Sequence, residues 1–287
     1  MTKKIIVALD NSEISKELVR IGDSWAQRSD AELCFLHVGA KDSGAAGEPK
    51  QQLERFLESL SIASAYQIQY RTGTSYLKIL ELEKEFKADL IIMGAHRHTM
   101  MGRLFLGSNT KYVLHHCRAP VYVHKQQKLF LDNKIVVPID YTEVNKPVIQ
   151  IADEWAQRTG AELYFIRVDE TLNYEYDAMS MAGESAADVK RFVEATKIQD
   201  RKMQEEMERQ EEHLKEYISS QNVKAPYQTL HKFGEPYRRI LGLQEYINAG
   251  LIMMAAHSHT TLNRLIAGSN TDYLLHHATC PMYVYKE

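Results

Sequence analysis

Lys4-Ile5-Ile6-Val7-Ala8-Leu9-Asp10 is repeated 130 residues later as Lys134-Ile135-Val136-Val137-Pro138-Ile139-Asp140. Trp25-Ala26-Gln27-Arg28 returns at the same spacing, as Trp155-Ala156-Gln157-Arg158. Solenoid repeats have periods of roughly 20–50 residues, so a repeat at this distance indicates two copies of a whole domain. We expect domain 1 at residues 1–127 and domain 2 at residues 128–287, and any functional site is expected twice.

The two copies differ in length. Gly107-Ser108-Asn109-Thr110 returns 161 residues later as Gly268-Ser269-Asn270-Thr271, so domain 2 contains 31 additional residues. They lie between its second and third predicted strands, where residues 186–218 carry apolar side chains at the spacing of one long amphipathic helix. This helix either packs on its own domain or forms a docking surface or lid, for which the Met-containing segment 174–181 is suited. A carrier of a hydrophobic ligand would use the same insertion.

The composition excludes several classes of protein. The 287 residues carry a net charge of −3, so no overall positive field attracts nucleic acid or an anionic membrane. No apolar stretch is long enough for a signal peptide or a membrane span, and we expect a cytoplasmic protein. Cys34, Cys117 and Cys280 do not recur between the halves, which indicates core thiols rather than a disulfide or metal framework.

Each half alternates short apolar runs with segments of helical periodicity. In domain 1, runs at 4–9 and 32–38 flank a helical segment, and three further strands follow with helices between them. Domain 2 repeats this order. Strands joined by helical crossovers favour a parallel sheet with helices on both faces. The predicted fold is α/β: two tandem doubly wound domains, each a five-stranded parallel sheet flanked by four helices.

One loop in each half has the chemistry of a phosphate site. In domain 1, Gly94 ends the fourth strand, an extended loop follows, and Gly107 with Ser108 begins a helix. Glycine lets the backbone approach a ligand closely, and the free amides and dipole of a helix N-terminus attract an anion. In a sheet with the first and fourth strands side by side, this loop faces Asp10 across the usual ligand crevice of such folds. A nucleotide then fits with its base near Asp10 and Val38.

Five elements of the sequence occur in the same order in each half. In domain 1 they are Val7-Ala8-Leu9-Asp10-Asn11-Ser12, Leu36-His37-Val38, Asp89-Leu90-Ile91-Ile92-Met93-Gly94, Leu106-Gly107-Ser108 and His116-Cys117-Arg118-Ala119-Pro120-Val121-Tyr122-Val123. Through them the chain resembles, nearly end to end, the universal stress proteins in their tandem form with two fused domains. The resemblance implies a stress-response protein that binds an adenine nucleotide, ATP, ADP or AMP, with or without Mg²⁺.

Domain 1 departs at one position from the loop Gly-x2-Gly-x9-Gly-[Ser/Thr] of the nucleotide-binding branch of that family, because Arg97 replaces the second glycine. The arginine either donates hydrogen bonds to phosphate or fills the space that phosphate needs. Asp10 either orients ribose or Mg²⁺ or caps the next helix. The resemblance implies a nucleotide site, with Ser108 and Thr110 as hydroxyl donors, formed by Ala8, Asp10, Val38, Met93, Gly94, Arg97, Gly107, Ser108, Asn109 and Thr110.

Domain 2 departs from the same loop at two positions. Ala255 and Ser258 replace both early glycines, while Gly268 and Ser269 remain. Alanine at 255 is tolerated unless the backbone there needs a positive φ. We therefore expect nucleotide chiefly in domain 1, with a second, weaker site formed by Pro138, Asp140, Val168, Ala255, Gly268, Ser269, Asn270 and Thr271.

Repeated histidines invite a metal interpretation. They form the pairs His96 and His98, His257 and His259, His115-His116, and His276-His277. A tetrahedral site needs convergent ligands, and no repeated Cys or carboxylate completes the set, so we expect no metal. There is also no Walker lysine, no Gly-x-Ser-x-Gly elbow and no obvious nucleophile paired with a base, so we expect no catalytic residues and no enzyme beyond weak ATPase or autophosphorylation.

Two functions fit this sequence. The first is a nucleotide-binding regulator whose protein partners, which the sequence does not identify, change with its ligand. The alternative is a nucleotide-free adaptor that kept the fold while its glycines changed. Members of the family commonly pair through their last strand, here 121–123 and 282–284, and pairing two exposed edges satisfies both. The resemblance therefore implies a pseudo-dimer within one chain, and the sequence leaves homodimerisation of the whole chain open.

Overall fold

The computed structural model describes residues 3–10, 12–40, 47–95, 106–125, 133–169, 186–256 and 269–286. Both domains have the predicted order of five strands and four helices. The elements of domain 1 are β1 (Lys4–Leu9), α1 (Ile14–Ser29), β2 (Glu32–Gly39), α2 (Gly47–Glu58), β3 (Tyr66–Thr72), α3 (Ser75–Phe86), β4 (Leu90–Gly94), α4 (Ser108–His116) and β5 (Val121–His124). The predicted boundary between residues 127 and 128 lies outside the described residues.

Domain 2 repeats this order with one lengthened helix. Its elements are β6 (Lys134–Ile139), α5 (Asn145–Thr159), β7 (Glu162–Asp169), α6 (Ala186–Ser220), β8 (Tyr227–Phe233), α7 (Pro236–Tyr246), β9 (Leu251–Ala256), α8 (Ser269–His277) and β10 (Met282–Lys286). The prediction of two α/β domains is therefore confirmed.

All ten strands form one continuous sheet, in the order β3-β2-β1-β4-β5-β10-β9-β6-β7-β8. Neighbouring strands within each domain are parallel. The domains meet where β5 and β10 pair antiparallel, with Tyr122 opposite Tyr283. This is the predicted pairing of the two last strands, and it joins the halves as a pseudo-dimer.

The core has two layers because successive strand residues point to opposite faces of the sheet. In β1, Ile5 and Val7 face the layer that α1, α2, α5 and α6 cover, whereas Ile6 faces the layer that α3, α4, α7 and α8 cover. Each layer extends across both domains, so the two halves share their core. The three cysteines are buried and unpaired, as predicted, and burial raises the pKa of each thiol to about 12.

The insertion forms α6, a helix of 35 residues, as predicted. At 1.5 Å per residue it is roughly 50 Å long. Its last turns pack on domain 2 through the buried Leu214 and Ile218, whereas Met203 and Met207 are exposed. A docking or lid function stays a prediction, and the segment 174–181 lies outside the described residues. In the part of the chain that the structure describes, no helix is apolar over enough residues to cross a membrane.

Two buried lysines connect each domain to a helix of the other. Lys125, which follows β5, donates hydrogen bonds to the carbonyls of Leu274 at 3.3 Å and Ala278 at 2.8 Å, near the end of α8. Lys286, at the equivalent position, donates to the carbonyl of Leu114 in α4. The last carbonyls of a helix lack partners within the helix, and its dipole favours a cation there. Each domain thus caps a helix C-terminus in its neighbour.

Candidate functional site

The domain 1 crevice lies where β1 and β4 end, and it encloses about 70 Å³. Because β1 pairs with β2 on one side and with β4 on the other, the first and fourth strands are neighbours, as the ligand site requires. Seven of the ten predicted site residues line it: Ala8, Asp10, Val38, Met93, Gly94, Asn109 and Thr110. Gly107 and Ser108 start α4 beside the crevice without lining it, and Arg97 lies outside the described residues.

The domain 2 crevice occupies the equivalent position and encloses about 260 Å³. Seven of its eight predicted residues line it: Pro138, Asp140, Val168, Ala255, Ser269, Asn270 and Thr271. The eighth, Gly268, lies outside the described residues. Ligand pockets usually enclose about 300–1,000 Å³, so space alone favours domain 2. The preference for domain 1 therefore stays a prediction.

The two aspartates at the strand ends organise the turns that lead into α1 and α5. Asp10 Oδ1 accepts a hydrogen bond from the Ser12 amide at 2.9 Å. Asp140 Oδ1 accepts from the amide of Thr142 at 3.1 Å and from its hydroxyl at 2.7 Å. Such bonds are typical of Asx turns. Both carboxylates thus serve the turn before a helix while also lining a crevice, and a role in binding ribose or Mg²⁺ stays a prediction.

The hydroxyl of Thr110 already has an acceptor within the protein. The side chain is fully buried, and its hydroxyl donates to the carbonyl of Gly94 at 3.0 Å. This hydrogen bond joins the first turn of α4 to the end of β4, and a role of Thr110 as a phosphate donor stays a prediction. Ser108, two residues earlier, is exposed beside the crevice.

Gly94 and Ala255 occupy equivalent positions at the ends of β4 and β9. A Cβ on Gly94 would lie 3.2 Å from Cγ2 of Ile14, which is tighter than ordinary contact. The residue equivalent to Ile14 in domain 2 is the shorter Val144. Ala255 is not among the described residues with positive φ, so alanine is unstrained at this position.

Domain 2 carries a polar cluster, not predicted from the sequence, at the end of β7, on the face of that strand opposite to Ile166 and Val168, which line the crevice. Arg167 Nε donates to Asp169 at 2.8 Å, and Asp169 lies 2.8 Å from Nε2 of His231. Burial raises the pKa of Asp169, but the hydrogen bonds and charges of Arg167 and His231 outweigh it and keep the pKa below its ordinary value. The guanidinium also lies 4.8 Å from the ring of Tyr141, which has a left-handed φ of 64°. The alternation that places residues 167 and 169 on one face of β7 was the available signal.

The adjacent histidines have structural partners. Nδ1 of His116 lies 2.8 Å from the carbonyl of Tyr112, and the two rings stack with centroids 3.9 Å apart. His277 and Tyr273 repeat this arrangement in α8. Within the described ranges, no group of three or more His, Cys, Asp or Glu residues is placed to hold a metal ion. The histidines of the two loops, His96, His98, His257 and His259, lie outside those ranges, so the absence of metal stays a prediction.

Comparison with known proteins agrees with the duplication. A model of the universal stress protein family matches residues 1–125 and again residues 133–286. Universal stress protein A homolog 2 of Coxiella burnetii is 34% identical over 139 residues, which are 42% of this chain and 92% of that protein. The crystal structure of a universal stress protein from Archaeoglobus fulgidus is similar with a TM-score of 0.65 and 18% identity, and the match covers 99% of this chain and 98% of that one. A universal stress protein structure from Pseudomonas aeruginosa is similar with a TM-score of 0.71 and 13% identity, and the match covers 99% of this chain and 93% of that one. This chain therefore belongs to the universal stress protein family and contains two copies of the family's domain in tandem.

Proposed function

We propose that the protein is a cytoplasmic stress-response protein that binds an adenine nucleotide, with or without Mg²⁺, and that domain 1 is its stronger site. The observation that carries this proposal is the crevice between the ends of β1 and β4, with the N-terminus of α4 at its border. The base would contact the apolar side chains of Ala8, Val38 and Met93. The phosphates would meet the free amides at the start of α4.

The glycines that domain 1 retains support the preference for that domain. Gly94 and Gly107 keep two glycines of the family's loop in domain 1, whereas Ala255 and Ser258 replace both early glycines in domain 2. Charge at the helix N-termini does not separate the two sites. Lys111 in α4 and its equivalent in α8, Asp272, form an ion pair with each other, with Nζ 3.5 Å from Oδ2, so their charges largely cancel.

A matched pair of variants tests both parts of the proposal. Gly107 has φ −60° and ψ 149°, which valine also adopts, so Gly107→Val adds bulk without backbone strain. We expect calorimetric titration with Mg·ATP to show roughly tenfold or greater weakening in Gly107→Val, because charge-assisted hydrogen bonds to backbone amides are lost. Gly268→Val is expected to change the dominant binding event much less.

Three other outcomes would contradict parts of the proposal. Loss of binding in Gly268→Val with retention in Gly107→Val would place the stronger site in domain 2. Absence of binding in the wild type, restored by Arg97→Gly, would show that the arginine closes the site. The nucleotide-free adaptor would then be the better description. We propose no catalysis beyond weak ATP hydrolysis or autophosphorylation, so turnover well above background in either domain would contradict this part.

A further inference from the structure

A cavity of about 700 Å³ lies between the two domains, at the edge of the sheet where the strands of domain 1 begin and those of domain 2 end. It reaches the start of β1 and β4, the end of β10, and one face each of α1 and α5. Four aromatic residues contribute to its apolar wall: Trp25, Trp155, Tyr283 and Tyr285. We call it the interdomain cavity. Its volume falls within the range of small-molecule sites.

The aromatic wall is formed where the two copies of one motif meet. Trp25 and Trp155 occupy equivalent positions, and their ring centroids are 4.3 Å apart. Trp25 also stacks on Tyr283, with centroids 5.7 Å apart and planes within 8°. The Nε1 donor of Trp25 is buried and has no hydrogen-bond partner among the described residues. The wall therefore presents flat aromatic surface from both domains.

The basic wall is formed in the same way. Arg158 donates a hydrogen bond to the carbonyl of its equivalent, Arg28, and the Arg28 guanidinium lies 4.6 Å above the ring of Trp155. No ion pair joins either arginine to a carboxylate of the described chain. Burial, together with the charge of Arg158, lowers the pKa of Arg28. Two guanidinium groups held together without a counter-ion repel each other, and an anion between them would relieve the repulsion.

The residues that line the interdomain cavity carry a net positive charge. Its lining includes seven basic residues and three acidic ones, although the chain carries a net charge of −3. The basic residues are Lys3, Arg28, Lys84, Lys87, Arg118, Arg158 and Lys286, and the acidic ones are Glu83, Asp89 and Glu154. Two of these acids are already engaged: Glu83 accepts from the amides of Arg118 and Ala119, and Asp89 accepts from the amide of Lys4. The positive charge is therefore local to this cavity.

We propose that the interdomain cavity binds a small amphipathic anion, with its apolar body against the two tryptophans and its carboxylate, sulfonate or phosphate between Arg28 and Arg158. This site is separate from the nucleotide crevices and does not depend on them. A smaller cavity of about 460 Å³ lies across the pseudo-twofold axis and shares Arg28, Arg158 and Trp155. There His124 replaces Tyr285, so the smaller cavity lacks the tyrosine wall.

The protein contains only two tryptophans, and both line the interdomain cavity, so intrinsic fluorescence reports its occupancy directly. The probes are 8-anilinonaphthalene-1-sulfonate, an aromatic anion, and dodecanoate, an acyl anion. Their uncharged counterparts are N-phenyl-1-naphthylamine and dodecanol. We expect saturable binding of at least one anion, with at least roughly tenfold weaker binding of its uncharged counterpart. Binding of the first probe alone would identify an aromatic ligand class, and binding of dodecanoate alone an acyl class.

Charge variants test the position of the anion. Arg28→Met and Arg158→Met are each expected to weaken the bound anion about tenfold, whereas Arg201→Met, which removes an exposed arginine from α6, should leave it unchanged. Arg28→Lys keeps the positive charge but loses the guanidinium that can donate two parallel hydrogen bonds. Its affinity for the anion should therefore lie between those of the wild type and Arg28→Met. Failure of both anions to bind, equal binding of charged and uncharged probes, or unchanged affinity in Arg28→Met and Arg158→Met would overturn the proposal.

Discussion

Replacing Tyr122 with alanine is expected to lower the free energy of unfolding by about 3–5 kcal/mol, the range for truncating a large buried aromatic side chain. Tyr122 is fully buried in β5, lies opposite Tyr283 in the antiparallel pair, and meets the ring of Trp25 edge-on with centroids 6.3 Å apart. Its removal would leave a cavity in the layer of core that both domains share. Urea unfolding followed by far-ultraviolet circular dichroism measures the loss.

Two companion variants distinguish this effect from a general effect of mutating tyrosine. Tyr122→Phe keeps the ring and should lose much less stability than Tyr122→Ala. Tyr246 is 88% exposed, so Tyr246→Ala should stay within about 0.5 kcal/mol of the wild type. A loss below about 1 kcal/mol in Tyr122→Ala would show that the two domains do not depend on a common core.

The buried lysine of domain 1 should make stability increase with pH above neutrality. Burial lowers the pKa of Lys125 to about 8, whereas an unfolded lysine titrates near 10.4. Between these values the unfolded chain binds more protons than the folded one, so raising the pH favours folding. Relative to Lys125→Met, the wild type should gain about 2 kcal/mol of unfolding free energy between pH 7 and pH 10.

The comparison with Lys125→Met removes contributions that both proteins share, including the tyrosines that titrate near the upper end of this range. Lys202→Met, on the exposed part of α6, should give a pH profile parallel to that of the wild type. Parallel profiles for Lys125→Met and the wild type would instead show that Lys125 keeps an ordinary pKa in the folded protein.

The alternation of strands and helices was predictable because each element carries its own pattern. Most strands are short apolar runs, and the helix between β1 and β2 repeats apolar residues at helical spacing. The position of α2 was not predictable, although its presence was, because Gly47, Pro49 and several polar residues obscure its two buried leucines, Leu53 and Leu57. The pairing of the last strands followed from the family resemblance rather than from periodicity.

The crevice residues could be anticipated because a motif fixes which residues end each strand. The hydrogen bond of the Thr110 hydroxyl could not be anticipated, because its acceptor, the carbonyl of Gly94, is set by how α4 packs. The interdomain cavity could not be predicted either, although the repeat of Trp-Ala-Gln-Arg is evident in the sequence. Equivalent residues touch each other only near the axis that relates the two copies, and one sequence does not show where that axis passes. The contact between Trp25 and Trp155 locates it.

The antiparallel pair of β5 and β10 lies within a single polypeptide. Two separate half-length chains would meet by diffusion, and their paired fraction would fall on dilution. In the fused chain each half faces its partner at an effective concentration set by the connecting segment, on the order of millimolar for a short flexible one. The fraction of molecules with paired domains therefore does not depend on the protein concentration. A cell can change the copy number of this protein over a wide range while every molecule keeps the same two-domain form.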